Sequence, residues 1–271
     1  MDTEQQSIRF NDTEIRYTDS GEGIPTVFLH GYLEAKEIWQ PFTKELPVGI
    51  RSICIDLPGH GQSTFRGDTI TMEYMAQTIK HVLNNLRVNQ CVVIGHSMGG
   101  YAALAFAELY PNMLLGLVLF HSTANPDTPE KRESRAIDID LIMQGEKGRV
   151  VANAIPKGFA THNLIPLKDY VNWALNIAQR TPSNGIAACL RGMSVRKDRN
   201  FILGTPKCPT LLIFGSKDNH IHLQTAESIS GRFAECESAF LHNSGHMGFL
   251  EETGESLRVL VPFILSCSSS E

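Results

Sequence analysis

The sequence predicts an α/β protein: a mostly parallel sheet covered on both faces by helices and interrupted by one helical insert. Three observations carry this reading. Short apolar runs rich in β-branched residues alternate with segments of helical periodicity. One such run, Cys91-Val92-Val93-Ile94, leads directly through Gly95-His96-Ser97-Met98-Gly99 into a strong helix former. The stretch 125–197 holds several helical patterns but no buried strand.

The elements follow in order. Residues 7–10 and 15–19 alternate polar and apolar around Asn11-Asp12, which reads as an opening hairpin. Residues 26–29 form a buried strand that runs into His30-Gly31-Tyr32. Residues 50–56 form another, ending in the glycine-rich loop Pro58-Gly59-His60-Gly61. Between Thr71 and Leu86, Met75, Ile79, Val82, Leu83 and Leu86 recur at helical spacing. The helix after Ser97 runs over 100–110 and stops at Pro111. Strands at 114–120, 210–214 and around 239–241 complete the pattern. Within the insert, Leu167, Tyr170, Val171, Ala174, Leu175 and Ala178 make one apolar face. Thr181-Pro182 reads as an N-cap followed by proline at the first helical position. The insert is expected to lie as a lid over the C-terminal edge of the sheet. Residues 1–124 and 198–271 then form the core and 125–197 the cap.

Composition narrows the class. At 271 residues and 30.0 kDa the chain can hold one large α/β domain or a domain with a substantial insertion. A formal charge of -5, with no dense Lys/Arg stripe, argues against a nucleic-acid partner. Lys131-Arg132 and Arg196-Lys197-Asp198-Arg199 read as solvated surface. The polar start Met1-Asp2-Thr3-Glu4-Gln5-Gln6 shows no signal-peptide core, and no run approaches the roughly 18 to 20 apolar residues of a membrane span. Six scattered cysteines without a C-x-x-C pair fit a reduced setting, so a cytoplasmic location is expected.

The G-x-S-x-G run carries the chemistry. A sharp strand-to-helix turn strains its central residue, and flanking glycines let the backbones pass closely, so Ser97 is held out at the mouth of the sheet. Serine needs a base, a group to orient that base, and donors for the oxyanion. In an open parallel sheet these gather past the carboxyl ends of strands. His246, in Ser244-Gly245-His246, follows the last strand and is the leading base. Asp218 follows Leu211-Leu212-Ile213-Phe214-Gly215 and is the orienting acid. Asp56 also follows a strand, but Leu57-Pro58-Gly59 fits a turn there. His121 stands at the end of the strand after the elbow, where some enzymes place the acid, which favours Asp218 further. The backbone N–H groups of Met98 and Tyr32 are the expected oxyanion donors. The other histidines read as structural: His96 is poorly aimed at its neighbour's hydroxyl, and His60 bonds its own turn. His220, His222 and His242 could meet as a metal set but read as surface loops. No metal or cofactor is expected.

Together, His30-Gly31-Tyr32, Asp56-Leu57-Pro58-Gly59-His60-Gly61-Gln62-Ser63, Gly95-His96-Ser97-Met98-Gly99-Gly100, Gly215-Ser216-Lys217-Asp218 and Gly245-His246 resemble the signature set of the α/β-hydrolase-fold family. They come in the family's order and span nearly the whole chain. The resemblance implies an eight-stranded sheet with a helical cap inserted after the strand that follows the elbow helix. A serine nucleophile separates the chain from dehalogenases and epoxide hydrolases of that fold, which carry aspartate there. It is similar to the branch of carboxylesterases, enol-lactonases, cofactor-free haloperoxidases and carbon–carbon bond hydrolases. The expected activity is cleavage of a small or medium carboxylic ester or lactone through an acyl-enzyme on Ser97. A slow-turnover ligand sensor, an acyltransferase or perhydrolase and a carbon–carbon bond hydrolase stay open at this point. Phe159, Trp173 and Met193 of the cap are candidate pocket residues. No arginine or lysine stands out as a grip for a substrate carboxylate, which leans towards neutral substrates.

Overall fold

A computed structural model describes residues 5–267. The outermost residues of the expected core, 1–4 and 268–271, lie outside the described residues, and with them most of the polar start. The chain runs β1 (Gln5–Phe10), β2 (Thr13–Ser20), β3 (Gly23–Leu29), α1 (Gln40–Thr43), β4 (Gly49–Ile55), α2 (Met72–Asn85), β5 (Cys91–His96), α3 (Met98–Leu109) and β6 (Leu114–Phe120). It continues through α4 (Pro129–Met143), α5 (Lys147–Gly158), α6 (Lys168–Arg180), α7 (Ser183–Ser194), α8 (Asn200–Gly204), β7 (Thr210–Gly215), α9 (Leu223–Arg232), β8 (Glu237–Leu241), α10 (Gly248–Glu251) and α11 (Thr253–Ser266). The eight strands form one sheet in the order β1-β2-β4-β3-β5-β6-β7-β8. The first two pairings, β1 with β2 and β2 with β4, are antiparallel and the rest parallel.

Burial explains the strand sequences. The central strands β5 and β7 are buried at every position, so they read as unbroken apolar runs. The edge strand β1 alternates exposed and half-buried residues and needs no such run. Because successive side chains point to opposite faces, each central strand feeds two cores. Val27, Leu29, Val93, Leu117, Leu119, Leu212 and Phe214 pack with α2 and α3 on one face. Phe28, Val92, Ile94, Val118, Phe120, Leu211 and Ile213 pack with α11 and Trp39 on the other. Asn11, at φ 52, turns the hairpin. Thr71 caps α2 by accepting the Tyr74 N–H at 3.1 Å.

Among the described residues no strand lies between Phe120 and Thr210; helices α4 to α7 fill most of that interval. One local expectation changes. Thr181 does not cap α7, because its hydroxyl turns back to donate to the Ile177 carbonyl at 3.3 Å. Pro182 is the N-cap residue and α7 begins at Ser183. The insert is tied to the core at several points, including the Ile70 N–H to the Ala188 carbonyl at 3.0 Å and the Ala160 N–H to Glu251 Oε2 at 2.8 Å.

Candidate active site

Ser97 sits between β5 and α3 with φ 50 and ψ -113, a conformation that costs a non-glycine residue free energy. Three glycines make the turn feasible. A Cβ at Gly95 would fall on the Gly99 carbonyl, one at Gly99 on the Leu29 and His30 carbonyls, and one at Gly100 on the Ser122 side chain. The Ser97 N–H donates to the Phe120 carbonyl at 3.0 Å, and its own carbonyl accepts the Ser122 hydroxyl at 2.7 Å. The elbow is thus braced from the end of the neighbouring strand. The N-terminus of α3 faces the serine, which favours negative charge developing there.

His246 and Asp218 lie together at the ends of β8 and β7. The His246 Nδ1–H donates to Asp218 Oδ2 at 2.7 Å. Asp218 Oδ1 accepts the N–H groups of His220 at 2.6 Å and Ile221 at 3.0 Å. Burial alone would raise the Asp218 pKa, but the His246 charge and the imidazoles of His121 and His246 beside it hold the carboxyl well below its usual range. Burial likewise opposes the charged form of His246, and the Asp218 charge outweighs it, so the imidazole is raised above its ordinary value. The backbone of His246 is clamped on both sides. Its N–H donates to the Gly158 carbonyl at 2.6 Å, and its carbonyl accepts the His96 Nε2–H at 2.8 Å.

The loop 31–34 faces this pair. The Gly31 N–H donates to Glu34 Oε2 at 2.6 Å, and His96 Nδ1 lies 3.0 Å from the same oxygen. Leu33, at φ 63, bends the loop, and its N–H donates to His60 Nε2 at 3.4 Å. His30 Nδ1–H donates to the Gly31 carbonyl at 2.8 Å while its Nε2 accepts the Leu57 N–H at 2.9 Å. Burial holds both His30 and His60 below the ordinary range, His60 to about 3, so each stays neutral and keeps one acceptor nitrogen. The Tyr32 N–H has no hydrogen-bond partner among the described residues. The Met98 N–H opens α3, where no intrahelical acceptor precedes it.

A cavity of about 410 Å³ is lined by Ser97, His246, Tyr32 and His121 on the core side. Of the three apolar candidates from the insert, Phe159 and Met193 line it. Trp173 does not: the helical phase of α6 gives that wall to Ala174, and Trp173 packs beside Tyr170 with ring centroids 6.2 Å apart. The reading of Arg196 as solvated surface changes, because it is buried and lines the cavity together with Asp127, Arg135 and Asp138, whereas Lys131, also on the lining, is exposed as expected. Arg196 is 8% exposed. Lys131, Arg135 and Asp138 stand at i, i+4 and i+7 on α4, a polar stripe that was visible in the sequence but looks the same as a solvated face.

Three further residues carry roles that local sequence could not give. Glu34 and His96 link the loop 31–34 to the His246 carbonyl across 150 positions of sequence between the two histidines. His121 lies against Asp218 from the end of β6. The ligand atoms of His121, Asp218 and His246 fall within 4.8 Å of one another. The carboxylate oxygens there already accept from His246, His220 and Ile221, which reads as a hydrogen-bonded cluster rather than a cation site. His220, His222 and His242 do not come together as a ligand set among the described residues. No helix among the described residues is long and apolar enough to cross a membrane.

Comparison with known proteins agrees with this geometry. A family model described as the alpha/beta hydrolase fold matches residues 25–163, just over half of the chain. The AB hydrolase superfamily protein YisY of Bacillus subtilis is 29% identical, over 86% of this chain and 89% of its own. The monoacylglycerol lipase ABHD6 of Bos taurus is 25% identical, over 97% of this chain and 83% of its own. The structure of a thermophilic esterase from Thermogutta terrifontis superposes with a TM-score of 0.92 at 26% identity, covering 98% of this chain and all of that one. Sheet order, elbow and sequence match converge on one assignment: the chain belongs to the α/β-hydrolase fold family.

Proposed function

We propose that the protein is a serine hydrolase that cleaves a small or medium carboxylic ester or lactone. The observation that carries this is the placement of Ser97, strained on its elbow, and His246, bonded at 2.7 Å to Asp218, on the wall of one cavity. Ser97 attacks the carbonyl carbon as His246 takes its proton, and Asp218 holds the imidazole and stabilises its charge. The oxyanion binds the N–H groups of Tyr32 and Met98, each such donor contributing about 3 to 4 kcal/mol. His246 then returns the proton to the leaving alcohol, and water activated by the same histidine releases the acid. Residues 125–197 act as a cap whose lining residues, Phe159 and Met193 among them, shape the pocket. The lipase and esterase names of the relatives support ester chemistry.

Turnover of 4-nitrophenyl acetate by wild type and by Ser97→Ala tests the reading. Clear turnover lost in the folded variant is the expected result. Equal rates in both, or fewer than about one turnover per minute by folded wild type, would reject it.

A further inference from the structure

The cavity wall contributed by the insert is short of negative charge. Arg135 and Arg196 share a single carboxylate. Arg135 Nε donates to Asp127 Oδ2 at 2.5 Å and Nη2 to Oδ1 at 3.2 Å, while Arg196 Nη1 donates to Oδ1 as well. Asp127 is 5% exposed and the two arginines 7% and 8%, so this charge imbalance is buried. Lys131, one turn before Arg135 on α4, has no ion-pair partner among the described residues, and neither has Asp138. Against Asp127 and Asp138, the insert therefore sets three cations. Glu34, the other carboxylate on the cavity, is occupied by the Gly31 N–H and His96 on the core side.

The same space holds an unused donor. The Tyr32 hydroxyl is buried and has no hydrogen-bond partner among the described residues. A buried hydroxyl without a partner costs free energy unless a ligand or water completes it. Arg135 Nη1 also has no protein acceptor among the described residues, although its Nε and Nη2 are spent on Asp127. Donors left over on a shared arginine–carboxylate pair suit a second planar carboxylate.

We infer that the cavity holds a carboxylate subsite, formed by Arg135, Lys131 and the Tyr32 hydroxyl, so that the substrate is an ester or lactone carrying a second, ionised carboxylate. The excess of one positive charge on this wall matches a monoanion better than a phosphate dianion. This rests on the serine-hydrolase reading for its catalytic half and replaces the expectation of a neutral substrate. Arg196, with its guanidinium 4.0 Å from the Tyr101 ring centroid and donors on the Asn125 and Met193 carbonyls, braces Asp127 from behind.

The test compares monomethyl glutarate with methyl pentanoate, which has the same chain without the charge, by titrating released acid at low salt. Wild type should favour the half-ester about tenfold or more in kcat/KM, the order expected of one charge-assisted contact. That ratio should collapse towards one in Arg135→Gln and in Lys131→Gln. Arg135→Gln leaves Asp127 paired with Arg196, and Lys131→Gln breaks no ion pair, so each variant retains its fold by circular dichroism. A wild-type ratio of one or less, or a ratio unchanged in both variants, would overturn the subsite while leaving the serine mechanism standing. Glutarate itself, titrated calorimetrically into Ser97→Ala, reads the subsite without catalysis. Saturable binding, weakened about tenfold by adding Arg135→Gln, supports it even if neither ester is cleaved; no binding overturns it.

Discussion

His121 Nδ1 lies 3.5 Å from Asp218 Oδ2, the same oxygen that accepts the His246 Nδ1–H at 2.7 Å. His121 Nε2 accepts the Gly248 N–H at 3.2 Å, so the ring proton sits on Nδ1 and faces the carboxylate. Burial, only partly offset by Asp218, holds His121 down at about 4, and the ring stays neutral at any working pH. At 3.5 Å this is a long electrostatic contact, short of a formed hydrogen bond. It nevertheless places a dipole on the acid and ties the loop after β8 to the end of β6.

His121→Asn tests that tie. Asparagine tolerates the φ of 48 found at this position, so the substitution removes the ring's reach without adding backbone strain. Losing the acceptor for the buried Gly248 N–H should cost about 1 to 3 kcal/mol. Urea unfolding should show that loss, together with a lower kcat at unchanged KM as Asp218 loosens. Unchanged stability and unchanged kcat would reduce His121 to packing.

The pH dependence follows from the directions of two shifts. His246 is raised above about 6.5, so under the proposed serine mechanism the ascending limb of kcat/KM, which needs this histidine neutral, should lie above that value. Asp218→Asn removes the charge that raises it. Burial then prevails, the limb moves down, and kcat falls by on the order of 10⁴. Stability has the opposite sense for the two groups. The raised His246 stabilises the fold below its unfolded value near about 6.5, and that contribution fades as pH rises through the folded value. The depressed Asp218 contributes above about 3.9 and is lost as pH falls. Tm measured from pH 4 to 9 should therefore drop more steeply on the alkaline side in wild type than in Asp218→Asn. Parallel curves would contradict the coupling.

The parts of this fold legible in the sequence are those with strong local periodicity. The strands at 114–120 and 210–214 and the helix at 71–86 match β6, β7 and α2 within one residue. The elbow was legible because glycine, serine and glycine at fixed spacing answer one backbone demand that local sequence expresses. The cavity wall was not. Arg196 reads as surface because its charge is satisfied by Asp127, a partner 69 positions away that no local pattern announces. Trp173 lies off this cavity for the complementary reason: an apolar helix face is wider than the strip that meets a pocket, and Ala174 rather than the larger side chain lies on that strip.

Glu34 is the next point where a single residue holds two parts together. Burial would raise its pKa, but His96 and the Gly31 N–H more than reverse this and keep it ionised. Glu34→Ala would leave the buried Gly31 N–H without its acceptor, a loss of about 1 to 3 kcal/mol. Glu34→Gln retains one oxygen and should lose less. If loop 31–34 supplies an oxyanion donor, the Gln variant should lower kcat more than it raises KM. An effect on KM alone would place the loop in substrate binding instead.

Gly99 tests the elbow through the backbone rather than through the Ser97 side chain. A methyl group there would land on the carbonyl oxygens of Leu29 and His30, atoms of β3 and its following loop that cannot swing aside as a side chain can. β3 is paired on both sides, with β4 and β5, so relief would require shifting the centre of the sheet. Gly99→Ala should therefore destabilise the protein by roughly 3 kcal/mol or more, at the upper end for overpacking. Gly204→Ala serves as the control, since a Cβ there meets nothing within 4 Å. A Gly99→Ala variant as stable as that control in urea would mean that α3 can slide along β3. Close passage of the helix past the strand would then be incidental to the exposure of Ser97.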